Sequence, residues 1–208
     1  MMNGDERIMQ YDIVEVGAFE VNCIVAHDGC ARGVIVDPGG DAGRIGECVA
    51  RLGVVVEAVW LTHRHIDHVA ALDEVLRMYP GVPVMLHAED VEWTFSPLNR
   101  IPPYMTVPKR PASLRVIGEG DILSVGKETM RVLSTPGHSP GSVCFLDENG
   151  AVLISGDTLF CGGIGRTDLP GGDVRLMRES LNRLRALDPS IRVIPGHGPE
   201  TTIEDERR

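Results

Sequence analysis

The chain has few cations for its size. Its 208 residues carry 20 Lys and Arg against 30 Asp and Glu, a formal net charge of −10. Nucleic-acid binding needs clustered Lys and Arg to neutralise phosphates, so this balance argues against a nucleic-acid partner. A small anionic substrate needs only one or two local cations and stays compatible with the composition.

Long apolar runs and paired cysteines are also missing. No uninterrupted apolar stretch reaches the roughly 18 residues of a membrane span, and residues 1–10 have no apolar core of a signal peptide. The five cysteines form an odd set without a C-x-x-C pair, which argues against a disulfide framework and fits a reducing cytosol. We therefore expect a cytoplasmic protein without a membrane partner, a single domain over residues 1–208, and a monomer or homodimer.

Glycine and proline divide the chain into many short elements. Residues 54–61 form an apolar run interrupted only by Glu57, typical of a buried strand in a layered α/β fold. Apolar residues at helical spacing predict helices over residues 69–78 and 176–187, whereas residues 114–155 alternate as strands separated by turns. This order predicts an α/β fold, a four-layer αββα sandwich of two mixed β-sheets flanked by helices.

Residues 96–112 contain five prolines and little periodicity. A loop of this length is uncommon inside a compact domain and indicates a binding role. Tyr104 and Lys109 are its candidate wall residues.

The densest group of ligand-type side chains follows the buried strand. The run T-H-R-H-I-D-H places His63, His65, Asp67 and His68 in close succession, and imidazole with carboxylate is a ligand set for zinc and iron. His63 and His65, two apart in extended chain, point to the same side, while Asp67 and His68 turn away as a helix begins. The spacing predicts two metals rather than one, with a polar surface loop as the alternative.

Three more candidate ligands each follow a predicted strand. His138 lies in the turn T-P-G-H-S-P-G, Asp157 in S-G-D-T, and His197 in P-G-H-G. Ligand sites in α/β sheets form at the carboxyl ends of strands, so we expect these side chains to meet the first group at one edge.

The motifs T-H-R-H-I-D-H, P-G-H-S-P-G, G-D-T-L-F and P-G-H-G, in this order, resemble the metallo-β-lactamase superfamily. The run over residues 156–172, which ends in G-R-T-D-L-P-G-G, is similar to the small glyoxalase II-like (hydroxyacylglutathione hydrolase-like) enzymes. The resemblance spans residues 14 to about 202. It implies one metallo-β-lactamase domain, without the C-terminal helical domain of full-length glyoxalase II.

The resemblance also implies how the ligands are shared between two metals. The sets are His63, His65 and His138 for the first metal, Asp67, His68 and His197 for the second, and Asp157 as the bridge. Two divalent cations lower the pKa of a bridging water to a hydroxide and polarise a substrate carbonyl. Asp67 is the expected catalytic residue, orienting the hydroxide or taking its proton. Zinc is the expected metal, and iron or manganese accept the same ligands.

The implied activity is hydrolysis of a small-molecule thioester such as S-2-hydroxyacylglutathione, for example S-D-lactoylglutathione. Arg166 falls where larger glyoxalase II enzymes carry a lysine that contacts glutathione, so Arg166 is expected to bind a substrate carboxylate. A structural ion pair of Arg166 with Asp168 or Asp173 is the alternative.

Two other functions are compatible with these residues. A persulfide dioxygenase of similar fold uses one iron, held at the positions of His63, His138 and Asp157. A non-catalytic metal-binding module is the other alternative.

Four remaining polar or reactive side chains have structural predictions. Asp37, in V-D-P-G, is expected to support the site, and Cys161 to be a small packing residue. His87 is expected to make a structural hydrogen bond, and His27 to lie in an exposed hairpin turn.

Overall fold

The structure is a computed structural model that describes residues 9–99, 105–147, 149 and 152–207. Its elements, in chain order, are β1 (Gln10–Val16), β2 (Val21–His27), β3 (Arg32–Val36), α1 (Ala42–Leu52), β4 (Val55–Trp60), α2 (Ile66–Val69), α3 (Leu72–Met78), β5 (Val84–His87), α4 (Ala88–Thr94), β6 (Leu114–Ile117), β7 (Ile122–Val125), β8 (Glu128–Ser134), β9 (Val143–Asp147), β10 (Val152–Gly156), β11 (Leu159–Phe160), β12 (Gly163–Ile164), α5 (Val174–Arg185), β13 (Arg192–Pro195) and β14 (Thr201–Thr202).

Two six-stranded sheets form the middle of the molecule. The first has the order β1-β2-β3-β4-β5-β6 and the second β14-β13-β10-β9-β8-β7, with a small β11-β12 ribbon beside them. Both large sheets are mixed: β3, β4, β5 and β6 run parallel, as do β10 and β13, whereas the other pairs are antiparallel. Parallel neighbouring strands have their carboxyl ends at a common edge of the sheet, and the candidate ligands come just after those strand ends in the chain.

Three apolar clusters separate the layers. One lies between the sheets, where the rings of Trp60 and Phe145 are 5.1 Å apart. A second packs the first sheet against α1, α2 and α3, and a third packs the second sheet against α5. Helix, sheet, sheet and helix therefore follow in that order, and the predicted αββα sandwich is confirmed.

The helix predicted over residues 69–78 is wrong in one respect. Two helices, α2 and α3, replace it, because the amide of Ala71 donates to the carbonyl of Pro38 at 3.0 Å instead of continuing the helical hydrogen bonds. The break holds α2, which carries Asp67 and His68, against the loop after β3.

Sequence periodicity did not indicate β11, β12 or β14, since two residues are too short to show alternation. Among the described residues, no helix combines the length and apolar character needed to cross a membrane.

Candidate metal centre

The predicted ligands meet where strands of both sheets end. His63 and His65 follow β4, and α2 begins directly after them. The other three, His138, Asp157 and His197, follow β8, β10 and β13 of the second sheet. The structure thus brings together side chains that lie as far as 134 positions apart in sequence, from His63 to His197.

The first group consists of His63, His65 and His138, whose nearest nitrogens all lie within 4.8 Å of one another. Nδ1 of His65 is 2.7 Å from Nε2 of His138. The buried Nε2 of His63 has no hydrogen-bond partner among the described residues. An unpartnered buried nitrogen is costly, and a cation bound between the three rings would satisfy it.

The second group consists of Asp67, His68 and His197, again with ligand atoms within 4.8 Å. The Nε2 atoms of His68 and His197 are 3.2 Å apart, and Oδ2 of Asp67 lies 3.5 Å from Nε2 of His197. Two imidazoles and a carboxylate form a ligand set for a divalent transition metal.

Asp157 lies between the groups. Its Oδ2 is 3.4 Å from Nε2 of His138 in the first group and 3.6 Å from Nε2 of His197 in the second. Its Oδ1 is 3.3 Å from Nε2 of His68 but lacks a hydrogen-bond partner among the described residues. A carboxylate that lies close to histidines of both groups suits a bridging ligand, so the donor set fits two metal ions.

Protein acceptors hold the outer nitrogens of the histidines. Nδ1 of His138 donates to the carbonyl of Arg166 at 2.7 Å, and Nδ1 of His197 donates to the carbonyl of Phe19 at 2.8 Å. Because those protons are held outside the cluster, the Nε2 atoms turn lone pairs inward, as metal-binding imidazoles do.

Asp37 orients histidines of both groups. Its Oδ2 accepts from Nδ1 of His68 at 2.9 Å and from the hydroxyl of Thr62 at 2.6 Å, and its Oδ1 accepts from the Thr62 amide at 2.8 Å. The Thr62 oxygen in turn accepts from Nδ1 of His63 at 3.0 Å. Although Asp37 also lies within 4.8 Å of ring nitrogens, these bonds make it a positioning residue. The sequence indicated this support, but it did not indicate Thr62.

Burial keeps the first group neutral. It lowers the pKa of His63 well below the usual range, with neighbouring imidazoles adding to the shift, and it lowers the pKa of His65 to about 3. Burial lowers the pKa of His138 as well. Neutral imidazoles are the form that binds a cation.

The second group is more polar. Burial alone lowers the pKa of His68, but the carboxylates of Asp157 and Asp67 outweigh burial and raise it. Burial would raise the pKa of both carboxyls, yet the field of His68 holds each below its usual range. Two ionised carboxylates in a half-enclosed site provide the negative charge that a divalent cation neutralises.

Close backbone approach builds the site. A Cβ on Gly39 would overlap the carbonyl oxygen of Asp67, and a Cβ on Gly165 would overlap the carbonyl oxygen of Asp157. Both positions therefore exclude any larger residue unless the ligand-bearing segments move apart.

A pocket of about 580 Å³ opens beside the cluster. Five of the predicted ligands line this pocket, so a molecule bound in it would contact them: His65, Asp67, His138, Asp157 and His197. The start of the predicted binding loop contributes Leu98 and Asn99 to the wall, while residues 100–104, including Tyr104, lie outside the described residues. The backbone amide of Lys109 donates to Asp73, and Lys109 is not part of the described pocket lining.

Arg166 lines the pocket and is bound to Asp168. Its Nε and one terminal nitrogen donate to the two carboxylate oxygens, each at 2.7 Å. Arg166 was predicted either to bind a substrate carboxylate or to form an ion pair with Asp168 or Asp173, and the structure contains the ion pair with Asp168. Asp173 instead caps α5, where it accepts from the amides of Arg175 and Leu176.

A buried ion pair behind the pocket was not predicted. Nε of Arg64 lies 3.8 Å from Oδ1 of Asp90, and its guanidinium lies 4.7 Å from the centre of the Trp93 ring. Arg64 also donates to the carbonyl of Pro170, and Asp90 accepts from the hydroxyl of Ser139 at 2.5 Å. The pair connects the T-H-R-H-I-D-H run, α4 and two pocket loops. Helical spacing gave no signal that Asp90 faces inward.

Three side predictions have clear outcomes. His87 caps α4 by accepting from the amide of Glu89, as expected of a structural residue. His27 is buried in β2, 3.2 Å from Asp12, so its predicted exposed turn is wrong. Cys161 is exposed, so its predicted packing role is wrong as well.

Comparisons with known proteins agree with this geometry. The family model described as "Metallo-beta-lactamase superfamily" matches residues 16–197. The chain is 37% identical over 205 residues to the probable metallo-hydrolase YqgX of Bacillus subtilis, covering 96% of this chain and 95% of that protein. It is 35% identical to the hydroxyacylglutathione hydrolase GloC of Haemophilus influenzae, covering 96% of each.

Two solved structures are also similar. The B3 metallo-beta-lactamase BLEG-1 superposes with a TM-score of 0.88 at 37% identity, covering 95% of this chain and 96% of that one. TTHA1623, in a di-iron-bound form, superposes with a TM-score of 0.83 at 36% identity, covering 95% and 97%.

Proposed function

The chain belongs to the metallo-β-lactamase superfamily, and from that premise we propose that it is a binuclear metal-dependent hydrolase of small-molecule thioesters such as S-2-hydroxyacylglutathione. The observation that carries the proposal is the convergence of two three-residue groups around Asp157, at the floor of an open pocket. The 35% identity to GloC supports a thioester as the substrate.

Each group has a distinct task in this proposal. His63, His65 and His138 would hold one ion, Asp67, His68 and His197 would hold the other, and Asp157 would be shared between them. Two bound divalent cations supply a nucleophile from water at neutral pH and polarise the thioester carbonyl. Asp37 and Thr62 hold the Nδ1 protons of His68 and His63, so that the Nε2 atoms of these histidines present lone pairs to a metal. The pocket wall orients the substrate.

Asp67 is the proposed catalytic residue, which orients the nucleophile. Its carboxylate lines the pocket, and its pKa lies below the usual range because His68 and His197 outweigh burial, so it is ionised and able to accept a hydrogen bond at Oδ2. An Asp67→Asn variant loaded with both metals, whose amide oxygen can still act as a ligand, should lose about 100-fold or more in kcat. His63→Ala is the comparison, because it should lose metal and activity together. An Asp67→Asn enzyme that retains both metals and full kcat would refute the role.

The complete second group favours the hydrolase over the persulfide dioxygenase, which uses one iron. Metal content by elemental analysis, on protein purified without added metals, separates them when S-D-lactoylglutathione hydrolysis is measured in parallel. About two metals per chain with thioester cleavage supports the hydrolase. One iron with oxygen uptake on glutathione persulfide and no hydrolysis replaces it with the dioxygenase, and metal without either activity leaves a binding module.

Zinc is the proposed metal, in a cytoplasmic enzyme. The His-rich set with carboxylates suits zinc, and iron is the alternative because TTHA1623 was solved in a di-iron-bound form. The same elemental analysis distinguishes zinc, iron and manganese.

A further inference from the structure

The pocket above the cluster has a largely apolar wall. Its apolar members include Phe19, Ile66, Trp93, Phe160, Ile164 and Leu169. Leu98 stands at the same rim, 68% exposed. Ile66 is buried, so the wall runs from the metal groups out to solvent.

Exposed apolar side chains gather at this mouth. Nine large apolar residues are exposed in the described part of the chain, and three of them, Phe19, Leu98 and Ile164, line this one pocket. A contiguous exposed apolar patch beside reactive groups marks a surface that a ligand covers.

The pocket offers little to an anion. Arg166 is the one Lys or Arg side chain among its described lining, and two of its nitrogens donate to the oxygens of Asp168. Arg64, just behind the wall, is committed to Asp90 and Pro170. Glutathione carries two carboxylates, and the one Lys or Arg of the described lining is already paired with Asp168.

We infer that this site selects thioesters by an uncharged, apolar arm, such as a medium-length acyl chain, and not by the charges of glutathione. The inference rests on the proposed thioester hydrolysis and names its substrate class. Burial of methylene groups against the wall supplies the selectivity, at roughly fourfold in affinity for each methylene buried.

Uncleavable thioethers test the inference without turnover. Calorimetry on the metal-loaded protein measures Kd for S-methyl- and S-hexyl-N-acetylcysteamine and for S-methyl- and S-hexylglutathione. We expect each hexyl compound to bind at least about tenfold more tightly than its methyl partner. We also expect the two hexyl compounds to agree within about threefold. Equal binding of methyl and hexyl compounds, or tighter binding of S-methylglutathione than of S-hexyl-N-acetylcysteamine, overturns the inference.

Hydrolysis of the matching S-acetyl and S-hexanoyl thioesters is measured separately. Chain-length-dependent binding without cleavage of any thioester would refute the proposed reaction and leave the apolar selectivity standing. Thioester cleavage together with binding that does not depend on chain length would support the proposed reaction and refute the apolar selectivity.

A matched pair of variants locates the contact. Ile164 in β12 and Ile122 in β7 are 45% and 47% exposed, but only Ile164 lines the pocket. Ile164→Ala should weaken S-hexyl binding about threefold to tenfold without changing S-methyl binding, whereas Ile122→Ala should change neither. Unchanged S-hexyl binding in Ile164→Ala would remove this side chain from the proposed wall.

Discussion

Asp37 and His68 are joined by a buried hydrogen bond of 2.9 Å. The same carboxylate reaches His63 through the hydroxyl of Thr62, so one side chain behind the cluster orients a histidine in each metal group. Because one carboxylate supports both histidines, it fixes the directions of the metal-facing lone pairs of His63 and His68 together.

Replacing Asp37 by Asn should weaken both metal sites. An amide has one acceptor oxygen, so its NH₂ group would face a donor, which lowers the free energy of unfolding by about 1–3 kcal/mol. Metal affinity should fall about 10- to 100-fold, measured by competition with a chelating indicator. Asp121→Asn, which changes an exposed turn carboxylate bonded to Gly118, is the control. Unchanged affinity in Asp37→Asn would refute the positioning role.

Removing one ligand from each group should remove different ions. His63→Ala and His197→Ala should each lower the metal content by about one ion per chain, and the double variant should bind neither. His87→Ala, which removes a histidine that caps α4 and belongs to neither metal group, should keep the full content. Elemental analysis after dialysis reads the stoichiometry, and a single variant that retains the wild-type content would contradict the assignment of that histidine.

Chelation should destabilise the protein. Ions that bind only the folded state add about 4 kcal/mol at 1,000 times their Kd, so EDTA should lower the thermal midpoint of the wild type by several degrees. The double variant His63→Ala/His197→Ala should show no shift. Equal midpoints with and without EDTA in the wild type would mean that the cluster is not a folded-state metal site.

Substitution of Gly165 should disrupt the centre, because its added Cβ would overlap the carbonyl of Asp157 and approach His138. We expect Gly165→Ala to lose metal and about 2 kcal/mol or more of stability. Gly43→Ala is the matched control: the position is an exposed part of α1 with open space around it, and alanine there should stabilise by about 0.5–1 kcal/mol. Denaturant unfolding compares the two, and a Gly165→Ala protein of wild-type stability would contradict the close approach.

Asp168→Asn should make the pocket more receptive to anions. Hydrogen bonds from Arg166 lower the pKa of Asp168 to about 2, so the carboxylate stays ionised and paired as pH falls through the ordinary acid range, and protonates only near that value. Removing its charge frees Arg166, and S-hexylglutathione should bind several-fold more tightly while S-hexyl-N-acetylcysteamine is unaffected. Raised salt should reduce the gain. The double variant Arg166→Met/Asp168→Asn should show none of it, and an equal gain for the neutral ligand would contradict a charge effect.

The sequence by itself determined the ligand types, their grouping and the layered fold. These properties can be read from short stretches of sequence. The run from His63 to His68 contains its ligand side chains in close succession, and the apolar run over residues 54–61 predicts the buried strand that precedes them. The four motifs in their order resemble the metallo-β-lactamase superfamily, and the family model that matches residues 16–197 confirms the membership.

Only the tertiary structure decided how those residues are used. Which nitrogen of His138 or His197 faces inward depends on carbonyls of Arg166 and Phe19, and the pairing of Arg64 with Asp90 depends on how α4 packs. The apolar wall likewise collects side chains from segments far apart in the chain. Periodicity reports the neighbours of a residue along one element, whereas these contacts arise when two sheets and their loops pack against each other.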